Sequence, residues 1–335
     1  MANDIVLQQV CPVLPGAVRR SIELMAPQQR SRLTEIRLRH GRPVCVGIDG
    51  ADAFLCHDGS IAPGPMAACA HITADASIMA EAVRLVTGSS VYALERELTQ
   101  GFVTLPGGHR VGLLGRAVLD GGRVRTQVDF GSLNYRVARS LPGVADAVMP
   151  TVLRRGLHDI RALVLSPPGD GKTTLLRDIA RQLASGDGRT RPPMRVGVVD
   201  ERSEIAACAC GVPGHDVGFM CDVIDGCPKG EGIGMLIRSM APQVIVTDEI
   251  GSDNDAAAIA DSARCGVGIV ASAHASGWVQ ALARPNLAAA VQAGAFHTCL
   301  VLSRQKGVVV CCEALDTESS RSLLRAPVPL IPGGK

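Results

Sequence analysis

Hydrophobic and polar positions divide the chain into two parts with different patterns. In the N-terminal part, short segments of strand-like pattern alternate with turn residues, and residues 74–87 carry apolar side chains at helical spacing. The predicted strands lie at 35–39, 44–48, 101–105, 110–115 and 134–139, with a hairpin turn at 106–109. This pattern predicts a small α+β domain over residues 1–145.

The C-terminal part contains more continuous apolar runs, and helical segments separate them. The runs lie at 161–166, 194–200, 244–249 and 268–274, and the helices are predicted to follow residue 171 and to cover 233–240 and 253–263. Continuous runs of this kind are typical of strands buried on both faces, and their alternation with helices predicts a parallel sheet. We therefore expect an α/β domain over 150–325, followed by a disordered Pro-rich tail at 326–335.

The most informative local motif is a phosphate-binding loop between the first of these strands and its helix. An apolar strand enters a Pro/Gly turn, and the turn opens a helix that begins with Lys172. Backbone N–H groups of such a turn surround phosphate oxygens, while the lysine contacts the β- and γ-phosphates and the next hydroxyl binds Mg²⁺. The loop residues are Ser166, Pro167, Pro168, Gly169, Asp170, Gly171, Lys172, Thr173 and Thr174, with Ser166 in place of the usual first glycine.

Carboxylates end the strand at 244–249. Asp248 and Glu249 follow a β-branched apolar run, and in open α/β sheets ligands bind at the carboxyl ends of the strands. Asp248 is therefore expected to hold Mg²⁺, and Glu249 to polarise the water that attacks the γ-phosphate.

Three further groups fit the same site. Asp200, Glu201 and Glu204 follow the strand at 194–200, His274 ends the strand at 268–274, and Arg238 lies on the helix before Asp248. Asp200 is a second candidate metal ligand, His274 a sensor of the γ-phosphate, and Arg238 a cation that offsets transition-state charge.

Composition narrows the class of protein further. The 335 residues include 34 basic and 32 acidic side chains, for a net charge of +2, and only 2% are aromatic. This balance argues against a general nucleic-acid binder, which needs basic surfaces and aromatic stacking platforms. No signal-peptide pattern and no run near the roughly 18 apolar residues of a membrane span are seen, so we expect a cytoplasmic protein.

The order of these motifs resembles the type II/IV secretion ATPases, and more narrowly a sporulation family within that superfamily of P-loop NTPases. The resemblance covers nearly the whole chain. It rests on residues 35–39, 41–43, 92–95, 107–113, 166–174, 199–205, 225–229, 236–240 and 248–251.

The resemblance implies a RecA-like P-loop ATPase domain behind the smaller N-terminal domain, with ATP and Mg²⁺ as cofactors. It also implies a homo-oligomeric ring, a hexamer, that docks on the membrane proteins of a sporulation channel between mother cell and forespore. It assigns Asp200, Glu201 and Glu204 to an acidic box and His274 to a histidine box. In such enzymes arginines of the N-terminal domain also approach the nucleotide, and Arg110, Arg136 and Arg139 are the candidates in this sequence.

Several alternatives stay open at this stage. In secretion ATPases the activating carboxylate can come from the acidic box, so Glu204 competes with Glu249 for that role. The rival functions are a nucleic-acid-dependent P-loop ATPase and an assembly scaffold that binds nucleotide but hydrolyses it slowly. Neither the cargo nor the oligomer number follows from the residues.

Overall fold

The computed structural model describes residues 4–64, 70–88, 98–99, 101–138, 141–209, 211–305, 308–324 and 326–330. The chain folds as two compact units, Met1–Arg139 and Ser140–Lys335. The predicted boundary at 145–150 lies inside the second unit, because Val144, Ala145 and Val148 pack into its hydrophobic core. Within the described residues, no helix is long and apolar enough to cross a membrane.

In its described residues, the first unit is a seven-stranded antiparallel sheet with three α-helices. After a π-helical turn at Val6–Val10 and a 3-10 turn at Cys11–Val13, the helices are α1 (Gly16–Leu24), α2 (Pro27–Arg30) and α3 (Ala76–Thr87). The strands are β1 (Leu33–Arg39), β2 (Cys45–Ile48), β3 (Ala51–Leu55), β4 (Ile61–Ala62), β5 (Phe102–Thr104), β6 (Arg110–Asp120) and β7 (Arg123–Arg136). They are arranged in the order β4-β3-β2-β1-β7-β6-β5.

Local sequence signals account for the elements of this unit. Asp75 caps α3, since its side chain accepts a hydrogen bond from the Ile78 N–H at 2.9 Å, and Gly88 ends the helix at φ 58°. The predicted hairpin turn at 106–109 is confirmed, because Thr104 pairs with Arg110 across it. These elements bury one continuous core that includes Ile36, Leu38 and Tyr135.

The second unit is an eight-stranded sheet covered by helices. Its strands are β8 (Arg161–Ser166), β9 (Val196–Asp200), β10 (Cys221–Asp225), β11 (Val244–Glu249), β12 (Gly268–His274), β13 (Thr298–Gln305), β14 (Val308–Asp316) and β15 (Val328–Pro329). Its helices are α4 (Met149–Val152), α5 (Lys172–Ser185), α6 (Lys229–Met240), α7 (Asp253–Arg264), α8 (Trp278–Leu282) and α9 (Pro285–Gln292). The strand order is β10-β9-β11-β12-β8-β13-β14-β15, parallel from β10 to β13 and antiparallel beyond.

Both faces of this sheet are buried, as the continuous apolar runs predict. Ala162 and Val164 of β8 pack in the core on the side of α5, while Leu163 and Leu165 pack on the side of α6 to α9. Alternate residues of one strand therefore enter two separate cores, and the predicted parallel sheet with helices on both faces is confirmed.

Three details differ from the sequence-based predictions. The helix predicted at 233–240 begins at Lys229, because Gly232 lies against β9, where a Cβ atom would approach Val199 to 2.7 Å. The edge strand β10 has too few buried residues for its pattern to be recognised. The prediction of a disordered tail is wrong for 326–330, since β15 pairs with β14 and Leu330 is buried, while 331–335 lie outside the described residues.

Candidate functional site: a nucleotide cavity at the carboxyl edge of the parallel sheet

The phosphate loop joins β8 to α5 in the conformation that its glycines allow. Gly169 and Gly171 have φ of 82° and 80°, in the left-handed region that favours glycine. A Cβ atom on Gly169 would meet nothing within 4 Å, so backbone conformation rather than space requires glycine there. The loop opens directly onto the N-terminus of α5, whose N–H groups are suited to bind an anion.

Lys172 lies inside this loop and is buried. Its ammonium group donates to the Ser166 carbonyl at 2.8 Å, the Ser166 hydroxyl at 3.0 Å and the Pro167 carbonyl at 2.9 Å. Burial lowers the pKa of Lys172, while Glu249 and Asp170 oppose that shift. Ser166, in the place of the usual glycine, therefore contributes a hydroxyl that helps to hold the lysine.

His274 connects the loop to the carboxylates. β12 lies between β8 and β11, and its register places His274 opposite Ser166. The Lys172 ammonium lies 2.9 Å from His274 Nδ1 and can only donate, so Nδ1 accepts and the proton is assigned to Nε2. Nε2 lies 3.2 Å from Glu249 Oε2, within ion-pair distance. One imidazole thus lies between the Lys172 ammonium group and the Glu249 carboxylate.

Asp248 is buried beside Glu249 and is paired with a residue that sequence reasoning missed. Lys229 Nζ lies 2.9 Å from Asp248 Oδ1 and also contacts Glu201 Oε2. The geometry at Asp248 Oδ1 falls outside that of a hydrogen bond, so this pair is ionic. Burial raises the pKa of Asp248 to about 6, and Lys229 limits the rise. Burial alone would lower the pKa of Lys229, but Glu201 and Asp248 outweigh it and raise that pKa.

The carboxylate of Asp200 holds the loop that follows β9, residues 201–207, called here the acidic loop. Asp200 does not line the cavity described below. It is fully buried, and its carboxylate accepts hydrogen bonds from the N–H groups of Glu204 at 2.7 Å, Ala206 at 2.8 Å and Ala207 at 3.3 Å. This corrects the expectation of a metal ligand at Asp200, because its oxygens are already used by the backbone.

Arg177 on α5 also holds the acidic loop, through hydrogen bonds to backbone carbonyls. It donates to the carbonyls of Glu204 and Ile205, each at 2.6 Å. The loop is thereby tied to the helix that begins at the phosphate loop, and Glu204 is placed at the cavity.

These elements enclose a cavity of about 410 Å³, called here the nucleotide cavity. Its lining contains ten of the residues predicted for the site, together with Arg202 and Ser272. The ten are Pro168, Gly169, Gly171, Lys172, Thr173, Thr174, Glu204, Asp248, Glu249 and His274. Four segments far apart in sequence therefore converge on one space.

The other predicted residues lie elsewhere. Ser166, Pro167 and Asp170 belong to the loop but do not line the nucleotide cavity, and Glu201 lies with Lys229 in a neighbouring cavity of about 610 Å³. Arg238 is exposed in the last turn of α6, nine residues and about 13 Å along the helix from Lys229. The expectation that Arg238 lies at the site is thus corrected, because the N-terminal end of α6 is the end that lies beside it.

Arg304, at the end of β13, is a second residue that sequence reasoning missed. It donates to the Gly169 carbonyl at 3.0 Å and lies 3.5 Å from Asp170 Oδ1. It therefore steadies the phosphate loop from a strand that the sequence-based interpretation did not include.

The donors that line the nucleotide cavity fit a magnesium–nucleotide complex. Mg²⁺ prefers oxygen ligands and is usually bound through one or two protein groups plus substrate phosphates. Thr173 supplies a hydroxyl and Asp248 a carboxylate to the lining of this cavity. Within the part of the chain that the structure describes, no cluster of three or more His, Cys, Asp or Glu side chains could hold a metal by itself. The donor set thus suits a metal that arrives with phosphate.

The N-terminal arginines belong to the first unit. The Arg110 guanidinium lies 4.8 Å from the centre of the Phe102 ring, and Arg136 Nε lies 3.7 Å from Glu35 Oε1. Arg139 and the predicted motif at 92–95 lie outside the described residues. An approach of these arginines to nucleotide stays a prediction.

Comparison with solved structures agrees with this architecture. The pilus retraction motor PilT with bound ADP aligns with a TM-score of 0.57 and 14% identity over 95% of this chain and 82% of that chain. The ATPase DotB of Legionella pneumophila aligns with a TM-score of 0.52 and 15% identity over 90% of this chain and 81% of that chain. The fold of this chain is therefore the RecA-like fold that these two proteins share.

Sequence relatives are more specific. The model of the protein family described as "Sporulation stage III, protein AA" matches residues 6–317. The chain therefore belongs to that family. The Stage III sporulation protein AA of Bacillus subtilis (strain 168) is 36% identical over 314 residues, which are 94% of this chain and 96% of that protein. Protein SEEDLING PLASTID DEVELOPMENT 1 of Arabidopsis thaliana is 33% identical over 144 residues, 42% of this chain but 20% of that protein.

Proposed function

We propose that this protein binds ATP together with Mg²⁺ in the nucleotide cavity and hydrolyses it. The observation that carries the proposal is the convergence of Lys172, Asp248 and Glu249 on one cavity at the carboxyl edge of the sheet. A cation, a metal-binding carboxylate and a second carboxylate in this arrangement are the parts that phosphoryl transfer to water requires. The RecA-like fold, shared with proteins described as ATPases, supports the same conclusion.

In this proposal catalysis consists mainly of positioning and charge stabilisation. Lys172 and the N–H groups of the loop hold the β- and γ-phosphates, and Thr173 and Asp248 hold the metal. When bound, Mg²⁺ neutralises charge on the phosphate oxygens.

Glu249 orients the attacking water, and its Oε2 atom lies 3.2 Å from His274 Nε2. The water oxygen bonds to the γ-phosphorus as the bond to the β–γ bridging oxygen breaks, and a proton passes to the carboxylate. ADP and inorganic phosphate result. Glu204, which lines the same cavity, is the alternative base.

For the cellular role, the proposal is a motor of a secretion-like channel between mother cell and forespore. The name of the Bacillus subtilis relative supports a function in sporulation, and the fold supports a motor. The proposed assembly is a homo-oligomeric ring, a hexamer, held at the membrane by proteins of the channel complex and otherwise cytoplasmic.

The decisive experiment measures ATP hydrolysis by the purified protein against its own concentration, with particle mass determined in the same samples. A specific activity that rises as a ring forms is the expected result, and Lys172→Ala is the inactive control. Turnover below about one per minute together with ATP-dependent assembly would instead favour a scaffold, because ordinary enzymes reach about 1–10³ per second. Stimulation by single-stranded DNA or RNA that disappears with salt would favour a nucleic-acid motor.

A further inference from the structure

Lys229 is a buried cation at a position where helix physics disfavours one. It is the first residue of α6, directly after Pro228, and its side chain is 3% exposed. The N-terminus of a helix carries partial positive charge, so a buried ammonium there is destabilising unless anions compensate for it. A residue that breaks a local rule in this way is expected to serve a function.

The compensation comes from the two carboxylates Glu201 and Asp248, both of which Lys229 contacts. Glu201 belongs to the acidic loop after β9, and Asp248 lies at the end of β11. One ammonium group therefore joins three elements of the site: the acidic loop, the metal-binding strand and α6.

The two cavities show from which side Lys229 contacts Asp248. Asp248 lines the nucleotide cavity, whereas Lys229 and Glu201 line the neighbouring one, and the two cavities share Glu249 and Arg202. Lys229 thus holds the Asp248 carboxylate from the side facing away from the nucleotide cavity. It does not line the space where phosphate would bind.

We infer that Lys229 is a positioning residue that orients Asp248 toward the Mg²⁺ of the bound nucleotide, an inference that rests on the proposed function. Lys172 and the phosphate loop bind the phosphates directly, so their contribution to affinity does not require Lys229. Removal of Lys229 should therefore abolish the part of the nucleotide affinity that depends on Mg²⁺ and leave the rest.

The test measures binding of a fluorescent ATP analogue in EDTA and in millimolar Mg²⁺, without measuring turnover. For Lys229→Met we expect the affinity in EDTA to lie within about twofold of the wild-type affinity. The increase in affinity on adding Mg²⁺ should be at least fivefold smaller than in the wild type. An unchanged increase would overturn the inference.

A second variant separates positioning from simple charge balance. Lys229→Met combined with Glu201→Gln removes one positive and one negative charge, so the local net charge equals that of the wild type. If Lys229 only neutralises its neighbours, this double variant regains the full Mg²⁺-dependent gain, and that result would refute positioning. We expect the gain to stay reduced. The double variant also provides the test if Lys229→Met alone fails to fold.

Arg154→Met is the matched control, because it also removes a cation from a partly buried ion pair, with Asp316, outside both cavities. We expect it to leave the Mg²⁺-dependent gain unchanged. Loss of the gain in this control as well would assign the effect of Lys229 to general destabilisation.

A wild type that binds no nucleotide in either buffer would refute the proposed function, and this inference with it. A wild type that binds equally in both buffers would refute the inference and the proposed role of Mg²⁺ in binding, but would leave nucleotide binding itself supported.

Discussion

The two ends of the parallel sheet carry ionic groups arranged in opposite ways. At the carboxyl end, Lys172, Asp248 and Glu249 line a cavity. At the amino end, arginines pair with carboxylates and backbone carbonyls. Arg154 donates to Asp316 at 2.5 Å and to the His297 carbonyl at 2.6 Å, and Arg161 lies 3.0 Å from Asp159. The first arrangement presents charged side chains to a cavity, and the second pairs them outside both cavities.

Helix polarity explains this difference. When parallel strands alternate with helices, the helix N-termini meet at the carboxyl end of the sheet and the C-termini at the amino end. N-termini present N–H groups that attract anions, and C-termini present carbonyls that attract cations. Arg161 shows the second case, since it donates to the carbonyl of Ala263 near the end of α7 at 3.5 Å and to that of Gly294 at 2.8 Å. The fold therefore predisposes one end to bind phosphate and the other to be closed by arginine.

The strongest test of this contrast is Lys172→Ala. We expect nucleotide affinity to fall on the order of 100-fold or more, because charge-assisted hydrogen bonds contribute roughly 1.5–3 kcal/mol each and this lysine also holds the loop. Titration with a fluorescent ATP analogue measures the change. Folding stability should be retained, and retained nucleotide affinity would remove Lys172 from the site.

Glu249→Gln probes the chemistry of the same end. Turnover should fall roughly 10²- to 10⁴-fold, the usual contribution of a general base, while ATP affinity changes only a few-fold. Single-turnover hydrolysis and binding are measured side by side, with Glu204→Gln as the matched variant. A larger loss of turnover in Glu204→Gln would transfer the role of base to the acidic loop.

Arg154→Met tests the amino end of the sheet and should lower folding stability without changing nucleotide affinity. Its guanidinium contacts Asp316, the Thr298 hydroxyl and the His297 carbonyl, so its loss leaves partly buried acceptors unpaired. We expect the free energy of unfolding to drop by about 2 kcal/mol, less than for a fully buried pair. Urea unfolding gives this value, and nucleotide affinity should not change. Weaker nucleotide binding would contradict the separation of the two ends.

The smallest expected effect is a pH dependence of the free energy of unfolding that arises from His297. Burial lowers its pKa, Asp159 and Glu318 oppose the shift, and Arg155 and Arg161 reinforce it. Because the pKa is lower in the folded state, the unfolded chain takes up a proton first as pH falls below about 6.5. The contribution of His297 to the free energy of unfolding is thus fully present above that pH and declines as the pH falls below it.

His297→Gln should remove this contribution. Unfolding free energies of both proteins are compared at pH 7.5 and 5.5, and the loss of stability on acidification should be smaller in the variant. An equal loss in the two proteins would show that His297 does not titrate differently on folding.

Local sequence determined the parts of the site that depend on neighbouring residues. Gly169, Gly171 and Lys172 specify a strand–turn–helix phosphate loop because their conformations and charge act within one short segment. In the same way, Asp248, Glu249 and His274 could be placed at the carboxyl end of the sheet, since each ends an apolar run. Amphipathic spacing was likewise sufficient to predict α3 and the two-domain organisation in outline.

Tertiary structure alone decided which of these residues meet and what each one contacts. Lys229 reaches Asp248, and Arg304 reaches Gly169, because the strand order differs from the order along the chain. Asp200 carries the same side chain as Asp248, yet the turn that follows it directs backbone N–H groups onto its carboxylate. Hydrophobic pattern identifies strands and helices, but the crossovers between them set which charges become neighbours, and electrostatic interaction depends on distance in space rather than on separation in sequence.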